Sequence, residues 1–215
     1  MDVRLIYYDF KNLKVYYFIP VLIIFLFIPV LSIGMVKIYG IEIAHIMIFR
    51  EAEKYIPIMS AWWTTFIFRE YIEGDGNELL YCVNKRGKLK AFQIVFIFLW
   101  YILHVSIVFL VGSIFWNNIL AEFIKTVIQC FFFTSSLYML IYTLKSTTIS
   151  FMILLIYELF SLFINSEITH FISIFGDNGT LIMNIIGSKS LVVLFISIVF
   201  FVIGVYKTRD FINHT

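Results

Sequence analysis

Charge is scarce in this chain. Asp, Glu, Lys and Arg make up 14% of its 215 residues, whereas 61% are hydrophobic and 20% aromatic. Soluble domains carry about 25% charged and about 45–50% apolar residues. With a mean hydropathy of +0.95, the balance excludes an ordinary soluble fold and gives an all-α integral membrane protein. No separate soluble domain is expected within the 215 residues. A net charge of +2 is too small to point to nucleic acid. Cysteine is nearly absent as well. Cys82 and Cys130 make no disulfide or metal-ligand pattern and are expected to be free thiols.

Motifs of catalysis are missing too. There is no His-Glu-x-x-His, no Gly-x-Ser-x-Gly and no Gly-x-x-x-x-Gly-Lys-Ser/Thr phosphate loop. Gly87-Lys88-Leu89 lacks both the preceding glycine-rich turn and the hydroxyl. His45, His104, His170 and His214 lie far apart, and His104 is expected to be a hydrogen-bonded packing residue rather than a ligand. The chain is therefore expected not to be an enzyme and to bind no metal or nucleotide of its own. No cleavage site follows the first apolar run, which is expected to remain as an anchor. Neither an internal repeat nor a low-complexity tract is present.

What the chain does have is long apolar runs. A membrane helix needs about 20 mostly apolar residues. Val15–Met35, Ala91–Trp116, Ile119–Leu144, Thr147–Asn165 and Lys189–Tyr206 are candidate spans. Tyr55–Phe68 is a short sixth. Extending it upstream brings in Arg50, Glu51, Glu53 and Lys54, where helical spacing would pair Arg50 with Glu53 and Glu51 with Lys54. Six spans put both termini on one side. That side holds 11 of the 16 Lys and Arg residues, so it is expected to be cytoplasmic. The Phe, Ile, Tyr, Asn and Lys bias looks like that of an AT-rich bacterial genome, and a multi-pass protein of a bacterial plasma membrane is expected.

Val3, Ile6, Phe10, Leu13 and Tyr17 recur at helical spacing, with Asp2, Asp9, Lys11 and Asn12 off the stripe. Residues 1–14 are expected to form an amphipathic interfacial helix, the alternative being a frayed basic tail. Residues 15–206 would form the bundle and 207–215 a cytoplasmic tail. Ser166–Ser188 is apolar, but Gly176-Asp177-Asn178-Gly179 breaks it into halves too short to span. A pair of re-entrant or interfacial helices is expected there.

The densest charge lies in the cytoplasmic loop 69–90. Asp75-Gly76-Asn77-Glu78 matches a capping box, with Asp75 at the N-cap and Glu78 at the third helical position. Leu79, Leu80 and Val83 then share one face of a short helix. Gly74 and Gly76 permit a sharp change of direction, and Lys85, Arg86, Lys88 and Lys90 would sit at anionic headgroups. A plain positive-inside loop with one helical turn fits the same spacing. Within the spans, Glu158 is the clearest ionisable suspect, because an unpaired charge in lipid is expensive. It either faces a pathway or pairs with another helix. Glu122 and Lys125 are expected to form a local ion pair. Trp62, Trp63, Thr64 and Thr65 either line a cavity or pack as aromatic core.

Loop and architecture together resemble the membrane subunits of type-two ABC transporters, small six-span bacterial exporters among them. That family carries an arginine–glutamate pair at the end of span two, matched here by Arg69-Glu70. A glycine turn follows, matched by Gly74 or Gly76, and then a Glu-x-Leu-Leu-like helix, matched by Glu78-Leu79-Leu80. Val83 stands where the family has a proline, and Arg86 lies near its basic site. Pro57 falls where the family has a proline at the outer start of span two. The resemblance implies that Asp75, Asn77, Glu78, Leu79, Leu80 and Val83 form a coupling helix docking on a separate ATPase, present in two copies, which would hold ATP and Mg. It implies a second membrane subunit, the same or similar, and a path built from spans two and five, placing Trp62, Trp63, Thr65 and Glu158 along it. A hydrophobic or amphipathic substrate such as an antimicrobial or cytolytic peptide is expected. The alternative is a non-transporting immunity or sensor protein that binds a peptide in the bilayer.

Overall fold

The computed structural model describes residues 3–74, 87–116, 119–163, 174 and 189–214, and every regular element among them is helical. They comprise α1 (Val3–Asn12), α2 (Val15–Leu22), a π-helical turn (Ile23–Phe27), α3 (Ile28–Ile72), α4 (Gly87–Gly112), α5 (Ile119–Leu144), α6 (Thr147–Phe163) and α7 (Lys189–His214). Among the described residues, four segments are long and apolar enough to cross a membrane: Val15–Ile41, Lys90–Gly112, Ile119–Leu144 and Lys189–Arg209. Two expected spans fall short by that measure. The second, Tyr55–Phe68, is short and bounded by the charges from Arg50 to Lys54 and by Arg69-Glu70, and the apolar part of α6, Thr147–Ser161, is too short. At 1.5 Å per residue, the 17 residues of α6 reach about 26 Å against a hydrocarbon core of about 30 Å. The third span also ends earlier than expected, at Gly112, with Trp116 beyond a turn. The expected cytoplasmic tail continues α7 as helix through His214.

α3 is two helical arms divided at Gly40, whose φ of 76° and ψ of 164° lie outside the helical region. Only glycine takes that conformation without strain. Tyr17 stacks on Trp63 with ring centroids 4.9 Å apart, and Phe27 meets Tyr55 at 5.1 Å. α2 and the π-helical turn run without a break into the first arm, so this helix folds back on the second arm in antiparallel fashion. Pro20 locks this hairpin. It has no N–H for the carbonyl four residues earlier, and the freed Tyr16 carbonyl accepts from the Trp62 indole N–H at 3.1 Å. The Trp63 indole donates to the adjacent Tyr17 carbonyl at the same distance.

α5 is the hub, packing against α3, α4, α6 and α7. Its contact with α7 is close because Gly204 faces Tyr138. A Cβ on Gly204 would lie 2.6 Å from the Tyr138 ring, an arrangement that lets helix backbones approach. The Thr208 hydroxyl donates to Tyr138 Oη at 2.7 Å one turn on. Gly204→Leu should therefore separate α5 from α7 and lower stability by about 1–3 kcal/mol, the usual range for overpacking. Unfolding in mixed detergent micelles measures it, and a shift below 0.5 kcal/mol would show that the helices close without this glycine.

Candidate functional site

Two groups of residues were expected to matter: those around the 69–90 loop and those along a path through the bundle. Asp75, Asn77, Glu78, Leu79, Leu80 and Val83 lie outside the described residues, as does Cys82, so the site is built from what flanks them. The segment 166–188, expected to form re-entrant or interfacial helices, is also outside, except Ile174. That residue is buried, and its carbonyl accepts from Gln129 Nε2 at 3.4 Å.

The end of α3 carries the structural weight. Arg69 and Glu70 are adjacent in sequence, so they diverge around the helix and take different partners. Arg69 Nε lies 3.7 Å from Glu73 Oε2, and Glu70 accepts from Asn12 Nδ2 at 3.3 Å. Gly74 follows, where a Cβ would lie 2.4 Å from the Glu70 carbonyl oxygen, so the chain leaves α3 by a turn that excludes side chains. Glu73 is the residue that sequence reasoning missed. Its Oε1 accepts from Ser146 Oγ at 2.8 Å, from the Thr147 N–H at 2.7 Å and from the Thr148 N–H at 3.3 Å. A carboxylate from α3 thus caps the N-terminus of α6, where backbone N–H groups have no helical partner. Burial pushes the Glu73 carboxyl upward, but these hydrogen bonds outweigh it and hold the group below its ordinary value. Ser146-Thr147-Thr148 at a helix start was the available signal; the acidic partner from another helix was not.

α1 docks on the same end. Ile6 and Leu13 are buried, and the Phe10 ring lies about 6 Å from those of Trp63, Tyr17, Phe96 and Trp100. The apolar stripe therefore faces the bundle. Asp9, read as off the stripe, is not solvated: it accepts from the Tyr71 hydroxyl at 2.8 Å and from Gln93 Nε2. Burial raises its carboxyl above the ordinary value despite those donors. Tyr71 is also raised, by burial first and by Asp9 second. Lys90 corrects another expectation. It is 1% exposed, with Nζ 2.9 Å from the Tyr71 ring centroid and 3.4 Å from Gln93 Oε1. Its ammonium is spent on an aromatic face rather than on headgroups.

The path residues divide between two sides of α3. Trp63 is fully buried among Tyr17, Phe10, Tyr101 and His104. His104 is a packing residue whose Nδ1 donates to the Trp100 carbonyl at 2.8 Å. Trp62 is half-buried and meets Phe151 of α6 at 5.7 Å. Thr64 and Thr65 are buried, and Thr65 Oγ1 donates back to the Ala61 carbonyl at 2.9 Å. Glu158 is 4% exposed, on the same buried face of α6 as Phe151 and Leu154. Its Oε1 has no hydrogen-bond partner among the described residues.

A polar seam joins α3 to α5. Lys125 Nζ lies 2.7 Å from Glu53 Oε1 and 4.0 Å from Glu122 Oε2, so the close partner is across helices, not the local Glu122. This also replaces the expected Arg50–Glu53 pair, whereas Lys54 does pair with Glu51. Gln129 Nε2 adds a 3.0 Å bond to Glu53. One turn further, Thr134 Oγ1 donates to Ser60 Oγ at 3.2 Å, and Ser60 Oγ reaches the Cys130 carbonyl at 3.0 Å. No group of three or more His, Cys, Asp or Glu among the described residues could hold a metal. Comparison of the chain with models of protein families, with curated proteins and with solved structures gave no match.

Proposed function

We propose that this chain is the membrane subunit of an ABC exporter, coupled at the 69–90 loop to a separate ATPase. In this reading the second arm of α3 and α6 complete six spans, both termini face the cytoplasm, and a second membrane subunit completes the path. The Glu73 clamp carries the reading. An ATPase pressing on a helix that starts near Asp75 would push on the end of α3, and the bonds from Glu73 to Ser146, Thr147 and Thr148 pass that displacement to α6. Spans two and five would then move as one unit. The path would lie where Trp62 leaves α3 beside Phe151, and the aromatic, charge-poor helices favour a hydrophobic or amphipathic cargo such as a membrane-active peptide.

The test is purification of the tagged chain from its native membrane in mild detergent. A stoichiometric phosphate-loop ATPase is expected to accompany it. Replacing Leu79 and Leu80 together by Asp should abolish that association, or leave ATP hydrolysis running without transport, while membrane insertion is unchanged. If no ATPase accompanies the chain and a membrane-active peptide is still neutralised, the immunity or sensor reading replaces this one.

A further inference from the structure

At the opposite end of the bundle, an apolar groove of about 630 Å³ lies between the first arm of α3, the second arm and the end of α4. Its size falls among small-ligand pockets of about 300–1,000 Å³. Pro29, Ile33, Ala52, Val111 and Trp116 line it, and Lys37 is the one charged lining residue among the described residues. Ile33 and Val111 are more than half exposed, so the groove opens sideways, toward hydrocarbon in a membrane.

The polar atoms inside it are already spent. Ser32 Oγ donates to the Ile28 carbonyl at 2.8 Å, and the Trp116 indole N–H donates to the Ile41 carbonyl at 3.1 Å. The interior can therefore accept only hydrocarbon. Lys37 has no hydrogen bond or ion pair among the described residues and is exposed, four residues after Ile33 and so one turn along the same face of the first arm. An ammonium at the mouth of a hydrocarbon-accepting slot complements an amphiphile with an anionic head and an apolar tail.

We infer that this groove is a binding site for an anionic membrane lipid, with one acyl chain between the α3 hairpin and α4 and the headgroup phosphate on Lys37. The inference is independent of transport. It requires only that the chain sit in a bilayer. It gives the Gly40 hairpin a second consequence: the kink holds Lys37 beside the mouth of a cleft that two straight helices would close.

The full chain reconstituted in phosphatidylcholine vesicles tests this, with brominated-chain phosphatidylglycerol or brominated-chain phosphatidylcholine added at equal mole fraction. The readout is the component of tryptophan quenching that is lost in Trp116→Phe. Brominated phosphatidylglycerol should quench Trp116 with about fivefold higher apparent affinity, the contribution of one lysine at an anionic surface. Lys37→Gln should bring the two lipids level, Lys37→Glu should reverse the preference, and Lys14→Gln at the other end should change nothing. Helicity by circular dichroism checks that each variant is folded. Equal quenching by both lipids in the unaltered chain, which means bulk lipid fills the groove, overturns the site. So does a preference that survives Lys37→Gln.

Discussion

Lys125→Ala should destabilise the folded chain by about 3–5 kcal/mol, because it strands the buried carboxylate of Glu53. Glu53 and Lys125 are 5% and 7% exposed, and their charged atoms lie 2.7 Å apart. Removing both charges should be far milder. Glu53→Gln with Lys125→Met keeps the volume and leaves Gln129 a neutral partner; with Glu122→Gln added, because buried Glu122 also lies 4.0 Å from Lys125, the variant should fall within about 1–2 kcal/mol of the unaltered chain, or exceed it. The pair is then required by its partners rather than by the fold. A double-mutant cycle in mixed micelles, unfolding each variant with sodium dodecyl sulfate, reads the coupling directly. Single variants that each lose less than about 1 kcal/mol and simply add would mean that water reaches the pair.

That pair also shows where the sequence stops being legible. Apolar runs gave α4, α5 and α6 to within a few residues, because helix length and hydropathy are local properties, whereas the second arm of α3 begins well before Tyr55 and α7 runs on past Tyr206. Glu122 and Lys125 stand three apart and so read as partners, and they are within 4.0 Å. The stronger partner, Glu53, is 72 positions away, brought there because the hairpin at Gly40 lays the second arm of α3 alongside α5. Lys90 failed in the same way. A lysine at a span end normally reaches for headgroups, but here Tyr71 at the end of α3 covers it, with Gln93 one turn along its own helix. At the candidate site, the Arg69-Glu70 pair was visible as a motif and Glu73 was not. Its role depends on a helix start 74 residues on, which no window along the chain contains. The ring of Trp63 packs inward while Trp62 lies at the edge of α6, a distinction between adjacent residues that only the direction of the helix face decides.

Glu73→Ala should have two separable effects. Losing the cap should lower stability by about 0.5–2 kcal/mol, the usual worth of an N-cap side chain. If the proposed coupling is right, it should also leave ATP hydrolysis running while transport falls, since displacement of the loop no longer reaches α6. The pH dependence identifies the group responsible. The unfolded Glu73 titrates near its ordinary value of 4.5, and the folded one lower. Its stabilisation is therefore complete above that value and is lost as pH falls through the lower, folded one. Glu73→Gln removes the titration, so stability in the variant should decline less steeply below about pH 4.5. Parallel slopes for the variant and the unaltered chain would remove Glu73 as an ionised cap. A loss of stability in Glu73→Ala with transport still coupled would leave the cap in place and take away its role in transmission. Three measurements on one carboxylate thus separate a residue that merely ends a turn from one that carries motion between helices: unfolding against pH, hydrolysis, and transport.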